Sequence, residues 1–236
     1  RIITSEQALD LDWIPAKVIV LGGGVIGVEF ASVWRSFGSE VTIIEGLPRL
    51  VPAEDESVSK QFERAYRKRG IKALTGTKFQ SASQNDNGVE ITLEDGSVES
   101  ADLLLVAVGR GPSTSDMGFE EVGLSMDRGY VKTDSRLRTN LPNVFAVGDI
   151  VPGIQLAHRG FQHGIFVAEE IAGLQPLEID DRNIPKVTYS EPEVASVGFG
   201  EKDAQEQFGA ENISVYDYNL AGNGKSHILE TAGSVK

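Results

Sequence analysis

The sequence predicts an α/β protein: a parallel sheet wound with helices, an antiparallel β-meander, and a truncated α+β segment at the carboxyl end. Three observations predict it. Residues 17–45 read KVIVLGGGVIGVEFASVWRSFGSEVTIIE: an apolar run at 18–21, a glycine turn, a helical pattern to Phe37 and a second apolar run at 41–44. Residues 77–102 change to period two, broken by Asn87-Gly88 and Asp95-Gly96, dipeptides that close hairpins. Residues 103–108 are then apolar throughout, as a parallel strand covered on both faces must be.

The turn in the first stretch carries the chemistry. Gly22 permits a tight turn, Gly24 lets the backbone approach a pyrophosphate, and Gly27 lets helix and strand pack closely. Gly23, Val25 and Ile26 complete this turn and open the helix, whose unpaired N–H groups and positive dipole end attract phosphate. Glu45 ends the second strand 18 residues after Gly27, where a ribose would lie. These features together predict a Rossmann-like dinucleotide site. A carboxylate accepts hydrogen bonds from both ribose hydroxyls and repels an added phosphate, so Glu45 selects NAD over NADP. Arg49 could accept a phosphate if its loop folded back; a solvated loop charge is the simpler reading.

Bulk properties exclude several classes. The 236 residues are 40% hydrophobic and 24% charged, ordinary for a globular protein, and the net charge of −13 argues against nucleic acid or an anionic membrane as partner. The basic cluster at 64–69 closes a helix before Gly70, where it complements the dipole. No apolar run approaches a membrane span, and no signal-peptide pattern opens the chain. With no cysteine, disulfides, thiolate metal sites and redox dithiols are excluded within these residues, and no metal site is expected. The chain starts at Arg1 and stops in a strand-like pattern at Lys236. Both ends suggest part of a longer polypeptide, so missing targeting signals carry little weight.

In order, Ser5 is a plausible N-cap for a short first helix and Pro15 precedes the first long strand. A second helix is expected over 56–69, with Val58, Phe62, Ala65 and Tyr66 at helical spacing, then a strand at 71–74. The meander strands follow at 77–81, 89–93 and 97–100. After the apolar strand come Gly109 and Arg110 in a turn, then a connector. Residues 143–149 (NVFAVGD) read as a short strand ending on glycine and acid. A helix over 156–172 carries Phe161, Ile165, Val167, Ala168 and Ile171. A polar, proline-containing linker at 175–185 precedes alternating strand and helix patterns.

The stretches VIVLGGGVIGVEFASVWRSFGSEVTIIE, LLLVAVGRGP, NVFAVGDIVPGIQLAHRGFQHGIFVAEEIAG, VTYSEPEVASVG and YNLAGNGKSH follow one another along the whole chain. Their order and spacing make the sequence resemble the pyridine nucleotide–disulfide oxidoreductases, and within them the dihydrolipoamide dehydrogenases of actinobacterial type. The resemblance implies a homodimeric, cytoplasmic flavoenzyme using FAD and NAD. It also implies service to lipoyl-bearing acyltransferase components of 2-oxoacid dehydrogenase complexes. It implies an NAD-binding domain over 1–121, a central FAD-associated segment over 122–183, and the start of the interface domain over 184–236.

Carried over by position, Asp149 matches the FAD contact of the A-V-G-D motif. Ala157 matches a backbone contact at the flavin's pyrimidine end. Glu29 matches a glutamate beside nicotinamide and flavin, although an exposed helix acid explains it as simply. Gly109 and Arg110 match the turn at the nicotinamide side, and Phe79 a position near adenine. His158 is read as a partly buried histidine shaping a turn, and His227 as a surface or interface residue.

The family's cysteine pair, its second glycine-rich turn and its carboxyl-terminal His–Glu pair are not in these residues. The 236 residues alone are therefore expected to be inactive. Two other readings stay open: a quinone reductase of the same family without the redox pair, and a non-catalytic NAD-binding module.

Overall fold

The computed structural model describes residues 1–236. The chain falls into two compact units, Arg1–Gly198 and Phe199–Lys236.

The first unit is built on a five-stranded parallel sheet. Its strands are β1 (Ile2–Ile3), β2 (Lys17–Leu21), β3 (Glu40–Glu45), β4 (Lys72–Thr75) and β8 (Leu103–Val106), in the order β1-β8-β2-β3-β4. The central strand β2 pairs Leu21 with Ile44 on one side and with Val106 on the other. Helices α2 (Val25–Ser36) and α3 (Glu56–Lys68) make the β2-β3 and β3-β4 crossovers. The meander of β5 (Phe79–Asn85), β6 (Gly88–Leu93) and β7 (Val98–Ala101) takes the place of a crossover helix before β8.

Alternation along the strands assigns the two faces. Val18, Val20, Ile43, Leu103 and Leu105 pack with Val28, Trp34, Phe62 and Tyr66 of the helices. Ile19, Ile44 and Leu104 pack with Val89, Ile91 and Leu93 of the meander. Both faces are covered, so the strands read as continuous apolar runs.

Tyr66 ties α3 to α2. It is fully buried, and its hydroxyl donates to the Val28 carbonyl at 2.7 Å. Burial pushes the phenol up to about 12, against lowering by hydrogen bonds with Ser190 and Ser32. Because the folded value lies above the unfolded one, the stability it contributes is complete below about pH 10 and is lost as pH rises towards 12. Tyr66→Phe is expected to cost about 1 kcal/mol at neutral pH and to remove part of the alkaline loss. Denaturant unfolding at neutral and alkaline pH checks both.

Several local expectations change. The first helix, α1 (Ser5–Leu9), is capped by Thr4, not Ser5, with the Gln7 side chain accepting the Thr4 N–H at 2.9 Å. The apolar run 103–108 stays in the sheet only to Val106. Ala107 still donates to the Leu21 carbonyl, and Gly109 (φ +142°) then turns the chain away.

Residues 143–149 form no strand. A single bridge joins Phe145 to Arg138, and Gly148 at φ +72° leads into a 3-10 turn, Gly148–Ile150. A left-handed residue ends extended pairing.

Helix α4 (Ala157–Ile171) buries a different face from the one its apolar residues suggest. Arg159, His163 and Phe166 are buried, while Phe161, Ile165 and Ile171 are 70%, 53% and 69% exposed. The polar pair faces inward because it has partners there, described below. His158 is correspondingly exposed, its Nε2 lying 2.7 Å from the Pro185 carbonyl.

A small hairpin, Lys186–Thr188 with Val194–Ser196, belongs to the first unit. The second unit holds α5 (Glu201–Phe208), α6 (Gly224–Leu229) and a two-stranded ribbon of Tyr218–Asn219 with Ser234–Val235. Phe199 and Phe208 pack edge to face, and Lys236 pairs with Glu201. No helix of the chain is long and apolar enough to cross a membrane.

Candidate functional site: a glycine turn and a carboxylate rim

Three glycines of the turn are required by contact. A Cβ on Gly22 would lie 2.3 Å from the Ala107 carbonyl oxygen, at φ +112°. One on Gly27 would lie 2.0 Å from the Gly22 oxygen, and one on Gly23 would lie 2.5 Å from Leu50 Cδ2. Gly24 differs: a Cβ there would meet nothing within 4 Å. It is the N-cap of α2 and supplies no side-chain cap, so the first turn of the helix faces open space at Gly24, Val25 and Ile26. The cradle is packed below and open above, which fits a pyrophosphate.

Glu45 closes the rim. Its Oε2 accepts the Gly23 N–H and its Oε1 the Leu47 N–H, both at 2.6 Å. The carboxylate is thereby oriented by the turn it serves, half-buried at the end of β3. Arg49 is no solvated loop charge. It is half-buried, its Nη2 donates to the carbonyls of Pro52 (2.8 Å) and Glu54 (3.2 Å), and its Nε is buried without a partner. The loop 47–54 folds around its own arginine, which satisfies local carbonyls in place of an added phosphate.

Glu29 lies one turn along α2 and is half-buried. Its Oε1 accepts the Tyr189 N–H at 2.7 Å, a partner 160 residues away, so it is more than an exposed helix acid. Ser32, one turn further, accepts the Glu191 N–H at 2.9 Å and a guanidinium N–H of Arg69 at 2.7 Å. Arg69 also donates to the Glu191 carbonyl at 2.7 Å. The basic residue expected merely to complement a dipole thus bolts α2 to residues 189–191. Gly109 and Arg110 are exposed, and the Arg110 guanidinium pairs with Glu6 and donates to Ser5 Oγ at 3.1 Å. Phe79 is 40% exposed at the start of β5, two residues after Thr77, whose N–H donates to the Glu45 carbonyl as the chain leaves β4.

A second group forms around the 3-10 turn. Asp149 is exposed on it, and Ala157 is exposed at the start of α4, whose N-cap Leu156 gives no side-chain cap. Gly160 of α4 approaches so closely that its Cβ would lie 3.6 Å from Gly148 Cα. His163 Nδ1 accepts the Gly148 N–H at 3.1 Å. Arg159 donates to the carbonyls of Gly148 (3.4 Å) and Pro152 (2.7 Å) and to Asp181 Oδ1 (2.7 Å). Sequence reasoning missed His163 and Arg159. The only available signal was a basic residue and a histidine four apart on a helix whose apolar residues lie elsewhere.

A five-stranded parallel sheet whose central strand runs into a glycine turn and a helix, with a strand-end carboxylate closing the turn, is the Rossmann-like class of α/β fold. Residues 1–164 match the family model "Pyridine nucleotide-disulphide oxidoreductase", and residues 184–236 match that family's dimerisation domain. The chain belongs to this family.

The chain is 40% identical over 242 residues to a dihydrolipoyl dehydrogenase of Bacillus subtilis, covering 100% of this chain and 51% of that protein. It is 37% identical to a mitochondrial dihydrolipoyl dehydrogenase of Arabidopsis thaliana, covering 100% and 47%. Among solved structures, the HOCl-induced flavoprotein disulfide reductase RclA from Escherichia coli superposes with a TM-score of 0.88 at 28% identity, covering 100% of this chain and 55% of that one. The chain spans about half the length of the relatives it matches.

Proposed function

We propose that this chain supplies the NAD site and part of the FAD site of a dihydrolipoamide dehydrogenase, which oxidises dihydrolipoamide to lipoamide and reduces NAD⁺ to NADH and a proton. The observation that carries the reading is the glycine cradle closed onto Glu45 and left open at Gly24. The family match and the dihydrolipoyl dehydrogenase relatives support it.

In this reading Gly22, Gly23 and Gly27 shape the turn, Gly24, Val25 and Ile26 present its open side to the pyrophosphate, and Glu45 holds the adenine-side ribose. Phe79 lies along the adenine, and Glu29, Gly109 and Arg110 border the nicotinamide. Asp149 would accept a hydroxyl of the flavin's ribityl chain, and the open start of α4 at Ala157 would offer its positive dipole end to the flavin ring. Bound FAD supplies the two-electron relay between dithiol and NAD. The protein's share is binding, orientation and exclusion of water.

The domain limits 1–121, 122–183 and 184–236 belong to this proposal. So do a homodimer built through the last segment, lipoyl-bearing acyltransferases of 2-oxoacid dehydrogenase complexes as partners, and a cytoplasmic location. The dimerisation-domain match supports the homodimer.

The test is the whole protein containing this chain. It is expected to purify with FAD and to reduce NAD with dihydrolipoamide. Flavin without lipoamide turnover would redirect the assignment to another reductase of the family.

A further inference from the structure

Resting on the flavin reading of Asp149, we propose that His163, as the neutral imidazole, is a positioning residue for that carboxylate. Its protonation releases the Gly148–Asp149 turn and weakens flavin binding.

The geometry comes first. Gly148 sits at φ +72°, a conformation glycine adopts readily but does not by itself enforce. Both of its backbone polar groups are held from α4: the N–H by His163 Nδ1 at 3.1 Å, the carbonyl by Arg159 at 3.4 Å. Asp149 is the next residue and contributes no side-chain anchor to the turn, so the direction of its carboxylate is set by how Gly148 is clamped. His163 is only 2% exposed, and Arg159 only 4%. An acceptor at Nδ1 requires that the neutral ring carry its proton on Nε2. The imidazolium has N–H groups on both nitrogens, so protonation points Nδ1–H at the Gly148 N–H and replaces attraction with repulsion.

The surroundings decide whether this proton can matter. A cavity of about 190 Å³ is lined by His163, Arg159, Asp134, Asp181, Thr133 and Ser135 among others. It gives a proton a route to the ring. Burial, then the Arg159 guanidinium, draws His163 below the usual histidine value, while Asp181 pulls the other way. Asp134 lines the same cavity, and Asp149 lies on the turn itself. A depressed folded value keeps the ring neutral near pH 7. The clamp is therefore intact above the ordinary histidine range and is lost as pH falls through the folded value.

The experiment uses the whole flavoprotein, with FAD retention read by visible absorbance after buffer exchange between about pH 5 and 8, and folding followed by circular dichroism. Wild type is expected to lose affinity by up to about tenfold per pH unit below the titration. His163→Gln offers a carbonyl acceptor that does not titrate, so its retention is expected to stay flat with pH. His163→Leu leaves the Gly148 N–H without its acceptor and is expected to bind about tenfold more weakly at every pH. Superposable pH profiles for wild type and a folded His163→Gln overturn the proposal, as does wild-type affinity in His163→Leu at pH 8. Wild type that binds no flavin at pH 8 overturns the flavin reading itself, and the inference with it.

Discussion

Gly24→Ala is expected to leave the protein folded and to abolish measurable NADH binding, whereas Gly27→Ala is expected to unfold the turn itself. The two glycines stand three residues apart in one loop, yet their surroundings are opposite. The added methyl at 24 meets nothing within 4 Å and projects into the open side of the loop, the side proposed above for the pyrophosphate. The added methyl at 27 falls 2.0 Å from the Gly22 oxygen and 3.2 Å from Val20 Cγ1. Neither the backbone of the turn nor the central strand can give way cheaply. Overpacking costs about 1–3 kcal/mol, and occasionally more, and a contact against backbone leaves the least room for relief. Denaturant unfolding paired with NADH titration separates the two outcomes. A Gly24→Ala protein that binds NADH normally would remove the pyrophosphate from this turn.

Glu45→Ala is expected to weaken NADH binding by about 10- to 100-fold, the range for loss of charged hydrogen bonds. Part of that loss is structural, since the same carboxylate holds the Gly23 and Leu47 N–H groups. Glu45→Gln separates the parts. The amide keeps an acceptor for one of the two loop N–H groups and sets its NH₂ against the other, a loss that weakens NADH and NADPH alike, whereas the missing charge no longer repels a 2′-phosphate. The ratio of NADH to NADPH affinity is therefore expected to fall in Glu45→Gln. Arg49 will not compensate, because its guanidinium is committed to the Pro52 and Glu54 carbonyls. A wild-type protein that prefers NADPH in the same titration would reverse the reading of Glu45.

The cradle was legible because its requirements are local. Residues 17–45 contain both strands, the turn, the helix and the rim acid, and Gly27 answers to the Gly22 oxygen inside that stretch, whereas the Ala107 contact that requires Gly22 comes from the end of a distant strand. The meander was legible for the same reason, through its hairpin dipeptides. Residues 143–149 were misread because an apolar pattern says nothing about whether a neighbouring strand exists to pair with. Helix α4 was read as a helix correctly, but its apolar residues do not mark its buried face, since Phe161, Ile165 and Ile171 point outward. The inward face is polar, and a buried polar face is stable only if partners wait for it.

The amino-acid sequence by itself determined the parallel sheet, the glycine turn on the central strand, and the carboxylate that ends the next strand beside it. Their causes are backbone sterics and hydrophobic periodicity, which act over a few residues. Only the tertiary structure decided which polar side chains are committed, and to whom. Glu29 finds the Tyr189 N–H, Arg69 bolts α2 to residues 189–191, and His163 and Arg159 clamp the turn that carries Asp149. A buried polar atom is stable only where a partner meets it. Those partners come from residues 11 to 160 positions away, brought together only by the packed fold.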